Sequence, residues 1–587
     1  MCQTSVGLFL FVAFMGGCLG ELSPRVIVGQ GILKGIYLES TLGRQFAAFM
    51  SVPFAQPPTG ALRFKAPLDA KGWVGERDAS ADAPICIQNN PYTREKEISG
   101  TEDCLYLNVY TPKVSCKTSL ICYTCCQKNR STSGKQRKKN FFFKNRLMVF
   151  FHGGGWMCGS GNKMFYGPER LMDRDVVYVG VNYRLGTLSF FSTMDKVAPG
   201  NYALKDQNMA LKWIQRNIKE FGGDPNSVTI FGESAGGASV HYHMLSPKSK
   251  GLFHKAISHS GTAFCPWANP APSTMLKQAN KLALEMNCPT GDSLAMVECL
   301  RTKTAEELIA ADKHLYDWDY DPMIPFKPTV EPEHEEAFLT EDPRVLAVEG
   351  RFHQVPWMLG LNARDGGLRS ASKLFEKSLR ENKYIYDNKY KLIFCKCIIL
   401  LVTCKNNKLV NVINFKNIYF FFQIYTDSYF LSGIDEALRL HFPNSEKPIY
   451  FYHFDYRGRD SFSTVFGEPW RDYGACHVDE LIYLFPLGLF PKTLNEKDAS
   501  ISDAMLTLWT NFATTGNPNE PRSSEDMHLP QWTPVTSPDE LEYIDISNKI
   551  SMGSRLMQER RNLWKDLPLW QKSHSDAYKR QTVKTEL

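Results

Sequence analysis

The sequence lacks an apolar run long enough to cross a bilayer. A membrane-spanning helix needs about 20 consecutive apolar residues, and the longest candidate, residues 392–404, is interrupted by Lys396. The sequence also lacks a strong charge of one sign, because 68 basic and 62 acidic residues leave a net charge of +6 over 587 residues. We therefore predict no membrane span and no nucleic-acid partner. With 43% apolar residues, the chain can bury a large core in one elaborated domain or in two or three smaller ones.

The first twenty residues resemble a secretory signal peptide, although they carry no Lys or Arg. An apolar stretch from Val6 to Met15 is followed by small residues that end at Gly20. We expect a signal over 1–20, a mature chain from Glu21 and secretion, with a buried N-terminal helix as the alternative. The last four residues, 584–587, differ at one position from an ER-retrieval tetrapeptide, so the ER lumen is the alternative location.

Two segments, 114–145 and 383–422, differ in composition from the rest of the chain. Residues 114–145 are crowded with Lys, Cys, Ser and Phe, and residues 383–422 are almost wholly Lys, Asn, Ile, Leu, Tyr, Phe and Cys. The codons of Lys, Asn, Ile, Tyr and Phe are rich in A and T, and neither segment has a clean period. We interpret them as retained introns or errors in the gene structure, in which case the product could be defective; genuine disordered loops are the alternative. We expect both to be poorly ordered, and residues 420–422, three Phe in a row, show no evident helical face.

Seven cysteines remain outside the signal and these two segments. In an oxidising compartment, Cys86 with Cys104 and Cys288 with Cys299 are natural disulfide pairs, because each closes a short loop. The odd total predicts at least one free thiol. Within 114–145, Cys122 and Cys125 lack a second Cys or His pair at zinc-site spacing, so we predict no metal site.

The first half of the chain alternates strand-like and helical patterns. Residues 147–151, 176–181 and 228–231 are β-branched or aromatic runs, and apolar residues recur at helical spacing over 203–221. A strand, a helix and a strand in this order predict parallel strands with helices packed over the sheet.

The third strand leads into Gly232-Glu233-Ser234-Ala235-Gly236, and a helical stretch follows. A G-x-S-x-G turn between a strand and a helix is typical of a nucleophile elbow, which holds the serine hydroxyl out at the carboxyl edge of the sheet. A structural serine in a glycine turn is the alternative. We predict Ser234 as a nucleophile.

An oxyanion produced by such a nucleophile needs hydrogen-bond donors. His152-Gly153-Gly154-Gly155-Trp156 follows the first strand, and consecutive glycines let backbone N–H groups turn toward one point. We predict the N–H groups of Gly154, Gly155 and Ala235 as the oxyanion hole, with a plain glycine turn as the alternative for the first two.

Residues 221–236 and 102–112 together resemble the type-B carboxylesterase family, which includes cholinesterases and arthropod carboxylesterases. Residues 182–186 and 474–481 are weaker landmarks, and the resemblance runs from about Val26 to Trp570 with the two doubtful segments as gaps. It implies a single α/β-hydrolase domain over 21–587, with a mostly parallel central sheet and helices on both faces. It also implies hydrolysis of a small-molecule carboxylic ester through an acyl-enzyme, with no cofactor.

The resemblance supplies the other catalytic residues. His477 lies where the family has its general base, and Asp365 lies where many members have Glu as the acid that orients this base. Glu233 and Asp479, beside the nucleophile and the base, are interpreted as supports. An ordinary turn residue is the alternative for Asp365.

The resemblance also bears on substrate class. Its two conserved disulfides correspond to Cys86–Cys104 and Cys288–Cys299. The first loop holds a choline-stacking Trp in cholinesterases, but here residues 87–103 contain only Tyr92 as an aromatic, so we predict neutral esters rather than choline esters. Trp267 resembles the wall of the acyl pocket and favours short acyl groups, although a Trp could equally belong to the core.

A catalytically inactive adhesion protein of the same fold is the alternative function. Such relatives often lose the nucleophile, whereas this sequence keeps Ser234, Asp365 and His477. The sequence leaves the natural ester and the oligomeric state open.

Overall fold

The computed structural model describes residues 23–92, 97–112, 145–269, 272–317, 322–369, 418–467, 472–521 and 529–566. The signal, residues 114–144 and 383–417, and the C-terminal tetrapeptide lie outside these ranges, so what the sequence predicts for them stays a prediction. The described residues form one sheet of eleven strands and one of three strands.

The strands have the following bounds. They are β1 (Arg25–Val28), β2 (Gly31–Lys34), β3 (Ile36–Glu39), β4 (Gln45–Pro53), β5 (Glu76–Asp78), β6 (Tyr106–Thr111), β7 (Asn145–Phe151), β8 (Val176–Val181), β9 (Gly223–Glu233), β10 (Lys255–His259), β11 (Trp357–Asn362), β12 (Ile449–Phe454), β13 (Tyr543–Ile546) and β14 (Ser551–Gly553). The small sheet has the order β1-β2-β5, and the large sheet has the order β14-β13-β12-β11-β10-β9-β7-β8-β6-β4-β3.

The centre of the large sheet is parallel. Strands β8, β7, β9, β10, β11, β12 and β13 are parallel neighbours, and antiparallel strands flank them on both sides. The three strands that the sequence predicts correspond to β7, β8 and β9, with β7 lying between the other two. The prediction of a mostly parallel central sheet is confirmed.

Helices cover both faces of this sheet. They are α1 (Thr187–Phe190), α2 (Tyr202–Asn217), α3 (Ala235–Leu245), α4 (Pro272–Glu285), α5 (Ser293–Arg301), α6 (Ala305–Ala310), α7 (Pro343–Val348), α8 (Ile418–Thr426), α9 (Ser432–His441), α10 (Ser463–Phe466), α11 (Glu496–Thr515) and α12 (Gln558–Lys565). The helix predicted over 203–221 is α2 followed by a 3-10 turn over Ile218–Phe221.

Strand β7 shows how the two faces are built. Leu147 and Val149 are buried in one core cluster together with α2, whereas Met148 and Phe150 are buried in a second cluster together with α11. Alternate side chains of a strand point to opposite faces, so a strand buried on both faces is apolar throughout. This explains why the run 147–151 has no polar alternation.

The end of the second doubtful segment is helical. Residues from Ile418 begin α8, and Phe422 within it is 1% exposed and packs against Tyr473 with ring centroids 5.2 Å apart. The expectation that residues 420–422 have no helical face to bury is therefore wrong for Phe422. Its partner lies about fifty residues away in sequence, so a local pattern could not reveal the contact.

Candidate active site

Ser234 occupies a sharp turn between β9 and α3. Its backbone has φ 58° and ψ −120°, which is outside both regular structures that it joins. The Ser234 N–H donates to the carbonyl of His259, 2.8 Å away, and so fixes the turn to the end of β10. Ser234 is buried yet retains 6% exposure. Residues 232–236 therefore form the strand-turn-helix that the sequence predicts.

Two glycines around this turn have no room for a side chain. A Cβ at Gly236 would lie under 3.0 Å from the carbonyl oxygen of Phe151, and one at Gly261 would lie under 3.0 Å from that of Ser234. These neighbours are backbone atoms that cannot move aside cheaply. The close approach brings the ends of β7, β9 and β10 together beneath Ser234.

His477 and Asp365 form a buried hydrogen-bonded pair. His477 Nδ1 lies 2.8 Å from Asp365 Oδ1, and the two side chains are 2% and 0% exposed. The other carboxylate oxygen, Asp365 Oδ2, accepts a hydrogen bond from the backbone N–H of Asn362 at 3.0 Å. Both oxygens of Asp365 are thus engaged, which holds the imidazole in one orientation.

The sheet brings this pair together from distant parts of the chain. Asp365 follows β11, and His477 lies in a loop that comes after β12. The Arg364 N–H donates to the carbonyl of Ala475 at 2.9 Å, and Asn362 Nδ2 donates to that of Cys476 at 2.7 Å. Because β11 and β12 are parallel neighbours, their carboxyl ends lie at the same edge of the sheet.

The second ring nitrogen of His477 faces Glu233. His477 Nε2 lies 3.0 Å from Glu233 Oε1, although neither atom has a hydrogen bond of acceptable geometry within the described residues. His477 is therefore not hydrogen-bonded to the Ser234 hydroxyl in this structure. Because His477 contacts Glu233 and Glu233 directly precedes Ser234, the imidazole still lies close to the elbow.

Charge in this buried pocket changes the pKa values of its members. Burial alone would lower the pKa of His477, but the carboxylates of Glu233 and Asp365 more than offset this and raise the pKa to about 9. Burial raises the pKa of Glu233 well above its usual range, and the charge of His477 opposes that shift. The imidazole therefore holds a proton more strongly than an isolated histidine.

The glycine loop lies beside the elbow. Gly154 and Gly155 have φ angles of 97° and 63°, in the region that favours glycine, and a Cβ at Gly153 would lie 3.3 Å from Ser234 Cβ. No hydrogen bond within the described residues uses the backbone N–H of Gly154, Gly155 or Ala235. The three predicted donors thus carry N–H groups with no described acceptor.

His152 supports this loop and stays neutral. Burial lowers the pKa of His152 to about 4. Its Nδ1 lies 2.8 Å from the carbonyl of Gly153, and its ring stacks on Tyr183 with centroids 4.2 Å apart. The imidazole stiffens the start of the loop without adding charge to the pocket.

Trp267 is 4% exposed and lies between two other aromatic rings. Its centroid is 5.9 Å from that of Trp156, on the glycine loop, and 6.0 Å from that of Phe430. Phe430 in turn lies 4.6 Å from the His477 ring. One ring, that of Phe430, therefore separates Trp267 from the candidate base.

The sequence does not single out Phe430 or Glu480, and it gives no place at the site to Tyr92. Phe430 contacts His477 as described. Tyr92 is known from the sequence only as an aromatic, but its hydroxyl would lie 2.7 Å from a Cβ at Gly155. Glu480 is fully buried, accepts a hydrogen bond from Asn362 Nδ2, and lies 3.4 Å from His259 Nδ1. Glu480 is three residues after His477, within a stretch that the sequence already marks, so its position could have been noticed.

Asp479 acts on the backbone of the His477 loop. Burial raises its pKa to about 7, and it accepts hydrogen bonds from the Cys476 N–H at 2.8 Å, the Phe462 N–H at 2.7 Å and Ser461 Oγ at 2.6 Å. It thereby joins the loop to the segment that leads into α10.

The seven cysteines within the described residues form two disulfides and leave three buried thiols. Cys86–Cys104 and Cys288–Cys299 are both bonded, with Cα atoms 4.9 Å and 5.7 Å apart. Within the described residues the free cysteines are Cys158, Cys265 and Cys476. The same part of the chain holds no cluster of three or more His, Cys, Asp or Glu suited to a metal ion. No helix in these ranges is long and apolar enough to cross a membrane.

Comparisons with known proteins find esterases and a neuroligin among the relatives of this chain. Juvenile hormone esterase of Tribolium castaneum is 35% identical over 522 residues, which cover 84% of this chain and 84% of that protein. Neuroligin-2 of Mus musculus is 33% identical over 549 residues, covering 86% of this chain but 62% of its own length. The crystal structure of juvenile hormone esterase from Manduca sexta, with OTFP covalently attached, matches with a TM-score of 0.76 and 25% identity over 93% of this chain and 100% of that chain.

The match to the family extends over nearly the same residues as the described structure. The sequence model of the carboxylesterase family covers residues 22–564, which include Ser234, Asp365 and His477. This chain belongs to the carboxylesterase family.

Proposed function

We propose that this carboxylesterase cleaves neutral esters with short acyl groups through a covalent acyl-enzyme. Ser234 is the nucleophile, His477 the general base and Asp365 the residue that orients it. The observation that supports this most is the buried His477–Asp365 pair beside the elbow of Ser234, with 2.8 Å between Nδ1 and Oδ1.

The reaction proceeds in two half-reactions. Ser234 Oγ attacks the carbonyl carbon while its proton passes to His477 Nε2, and the bond from that carbon to the alcohol oxygen then breaks. His477 returns the proton to the leaving oxygen, so an alcohol departs and the acyl group stays on Ser234. Water next attacks the acyl carbon and gives a proton to His477. The bond to Ser234 breaks, Oγ takes back the proton, and a carboxylic acid leaves.

The negative charge that develops on the carbonyl oxygen needs donors already in place. We assign the N–H groups of Gly154, Gly155 and Ala235 as these donors, and the positive φ angles of the two glycines support the assignment because they let successive N–H groups converge. Removing one such donor typically costs about 3 to 4 kcal/mol of transition-state stabilisation. Fixed backbone donors need no reorganisation when the charge appears.

Two aromatic residues support the proposed substrate class. The indole of Trp267, held between Trp156 and Phe430, limits the length of the acyl group. The described part of the Cys86–Cys104 loop offers Tyr92, not an indole, to a choline cation. A phenol ring binds cations less well than an indole, so neutral esters are the expected class.

A series of p-nitrophenyl esters tests this proposal. We expect kcat/KM to be highest for acetate or butyrate and to fall for octanoate, and acetylcholine to react far more slowly than its neutral carbon isostere. An organophosphate should stop the reaction and leave its adduct on the peptide that contains Ser234, as mass spectrometry can show. A preference for acetylcholine, or an adduct on another peptide, would contradict the proposal.

The pH dependence of hydrolysis should depend on Glu233. A general base must be neutral to accept a proton, so activity should rise with pH through the His477 pKa of about 9. Glu233→Gln removes one of the carboxylates that raise this pKa, and the acidic limb of kcat/KM should move to lower pH by about one unit or more. The measurement is a pH profile of both proteins with a neutral ester.

Glu298→Gln is the matched control, because Glu298 is exposed on α5 and distant in sequence from the site. Its profile should coincide with that of the wild type. An unshifted limb in Glu233→Gln would show that this carboxylate does not influence the base.

We also propose that the protein enters the secretory pathway. Two disulfides within the described residues fit an oxidising compartment, and the signal-like stretch supports secretion, with the ER lumen as the alternative. Expression of the full chain in insect cells, followed by N-terminal sequencing of protein in the medium, checks this. Protein that stays in the cells with Met1 intact would show that the chain does not enter the secretory pathway.

A further inference from the structure

The helix pair α8 and α9 is joined by a single π-helical turn. Residues Asp427–Leu431 follow α8 without a break and continue directly into α9. In a π turn each N–H reaches back five residues instead of four, and such turns occur frequently at functional sites. The inserted residue shifts the backbone carbonyls out of the ordinary helical register, so that side chains of another segment can use them.

Carbonyls of this turn and of the residues after it hold the segment that carries Trp267. The Trp267 indole N–H donates to the carbonyl of Tyr429 at 2.8 Å, and Thr262 Oγ1 donates to that of Gly433 at 2.9 Å. Cys265 Sγ lies 3.8 Å from the carbonyl of Phe430. The segment 262–267 is therefore hydrogen-bonded to the π turn and to the first residues of α9.

The same turn reaches the catalytic pair. Thr426, immediately before the turn, accepts a hydrogen bond on Oγ1 from the N–H of Gly366 at 2.9 Å, and Gly366 follows Asp365. Phe430, within the turn, places its ring 4.6 Å from that of His477. One short stretch thus contacts the loop of the acid, the ring of the base and the wall of the acyl pocket.

A partly buried ion pair links this turn to α12. Arg560, on α12, places Nε 3.0 Å from both carboxylate oxygens of Asp427, the first residue of the turn. The Asp427 side chain is 9% exposed and that of Arg560 is 24% exposed. Removing one partner leaves the other charge poorly solvated, so the pair holds the turn firmly only while both are present.

We propose that the Asp427–Arg560 ion pair is a positioning pair for ester hydrolysis, acting through the π turn. It sets where Phe430 meets His477 and where the Tyr429 carbonyl holds Trp267, and so determines the selectivity for acyl length. This inference rests on the proposed function, because it takes His477 as the base and Trp267 as the pocket wall. Asp427 and Arg560 themselves touch no substrate.

The test compares substrates on one preparation, so that the fraction of folded enzyme cancels. The ratio of kcat/KM for p-nitrophenyl acetate to that for p-nitrophenyl octanoate is measured for the wild type, Asp427→Asn, Arg560→Gln and the double variant. We expect each single variant to lower this ratio by about tenfold, since Trp267 and Phe430 lose their fixed separation. The double variant should be no worse than the single ones, because both remove the same interaction.

Two controls separate positioning from general stability. Arg561→Gln breaks a buried bond from the same helix to Asp435 on α9, 2.7 Å long, which lies outside the π turn. Arg555→Gln breaks an exposed pair with Glu540 near the start of α12. Both variants should keep the wild-type ratio, even though Arg561→Gln lowers the midpoint of thermal unfolding.

Each outcome decides the matter. An unchanged ratio in Asp427→Asn and Arg560→Gln, or an equal change in Arg561→Gln, overturns the inference. If Asp427→Asn and Arg560→Gln fail to fold, Phe430→Leu is the substitute, because it keeps the ion pair and removes the ring that contacts His477. An unchanged ratio in Phe430→Leu overturns the inference as well. A wild-type protein that hydrolyses no ester refutes the proposed function instead.

Discussion

Ser234→Ala is expected to yield a folded protein whose kcat for p-nitrophenyl acetate has fallen by about 10⁴- to 10⁶-fold. Turnover falls because alanine has no hydroxyl oxygen to attack the ester and form the acyl-enzyme. The fold should survive, since alanine also has a Cβ and meets no more strain than serine at φ 58°. Steady-state kinetics and the midpoint of thermal unfolding are the two measurements.

Ser246→Ala provides a matched control at the other end of the same helix. Ser246 is buried and its Oγ donates to the carbonyl of Phe338 at 2.6 Å, so its loss should lower stability by about 1 kcal/mol and leave kcat unchanged. If Ser234→Ala retained wild-type turnover, the nucleophile would have to be sought elsewhere. If the wild type itself had no turnover, the alternative of a catalytically inactive adhesion protein of the same fold would gain support.

Asp365→Asn should lower kcat by about 10⁴-fold, although the new side chain has nearly the same shape. The buried N–H of Asn362 needs an acceptor and is 3.0 Å from Oδ2 of Asp365, so the amide oxygen of the new Asn must face it. The amide NH₂ then faces His477 Nδ1 and donates to it. This arrangement puts the imidazole proton on Nε2. A protonated Nε2 cannot accept a proton from Ser234.

Asp365→Glu is the informative companion, since Glu also carries a carboxylate that can accept a hydrogen bond from the imidazole. This variant keeps a carboxylate that accepts the Nδ1–H of His477, so it should retain far more activity than Asp365→Asn. Its activity should still fall below that of the wild type, because the extra methylene must fit in a fully buried site. The check is kcat for each variant at the optimal pH of each. Wild-type turnover in Asp365→Asn would identify Asp365 as an ordinary turn residue.

The elbow, the glycine loop and the parallel strands could be predicted because each depends on residues close in sequence. A strand that ends in G-x-S-x-G requires a tight turn, and the close contact between Gly236 and Phe151 gives the reason. The positions of His477 and Asp365 came from family resemblance, since nothing local distinguishes one histidine among thirteen. The structure then gives a physical reason for that pairing, namely the parallel register of β11 and β12.

The remaining site residues depend on contacts between distant segments. The π turn at Asp427–Leu431 adds one residue to a helix and leaves no mark in the hydrophobic pattern. Phe430 follows a segment of doubtful composition, so its ring could not be assigned to His477 in advance. The approach of Glu233 to His477 Nε2 is set by the ends of separate elements. Only coordinates reveal that a carboxylate oxygen lies 3.0 Å from that nitrogen and that the Ser234 hydroxyl is not hydrogen-bonded to it.

The separation of the site over three parallel strands also bears on the order of refolding. The nucleophile follows β9, the acid follows β11, and the base comes after β12, so a nascent sheet that has reached only β10 holds a serine without its proton acceptor. Pairing between segments that are far apart in sequence forms slowly. Recovery of catalysis after dilution from denaturant should therefore lag behind recovery of secondary structure. The rate at which turnover returns then reports when the last strands of the sheet pair.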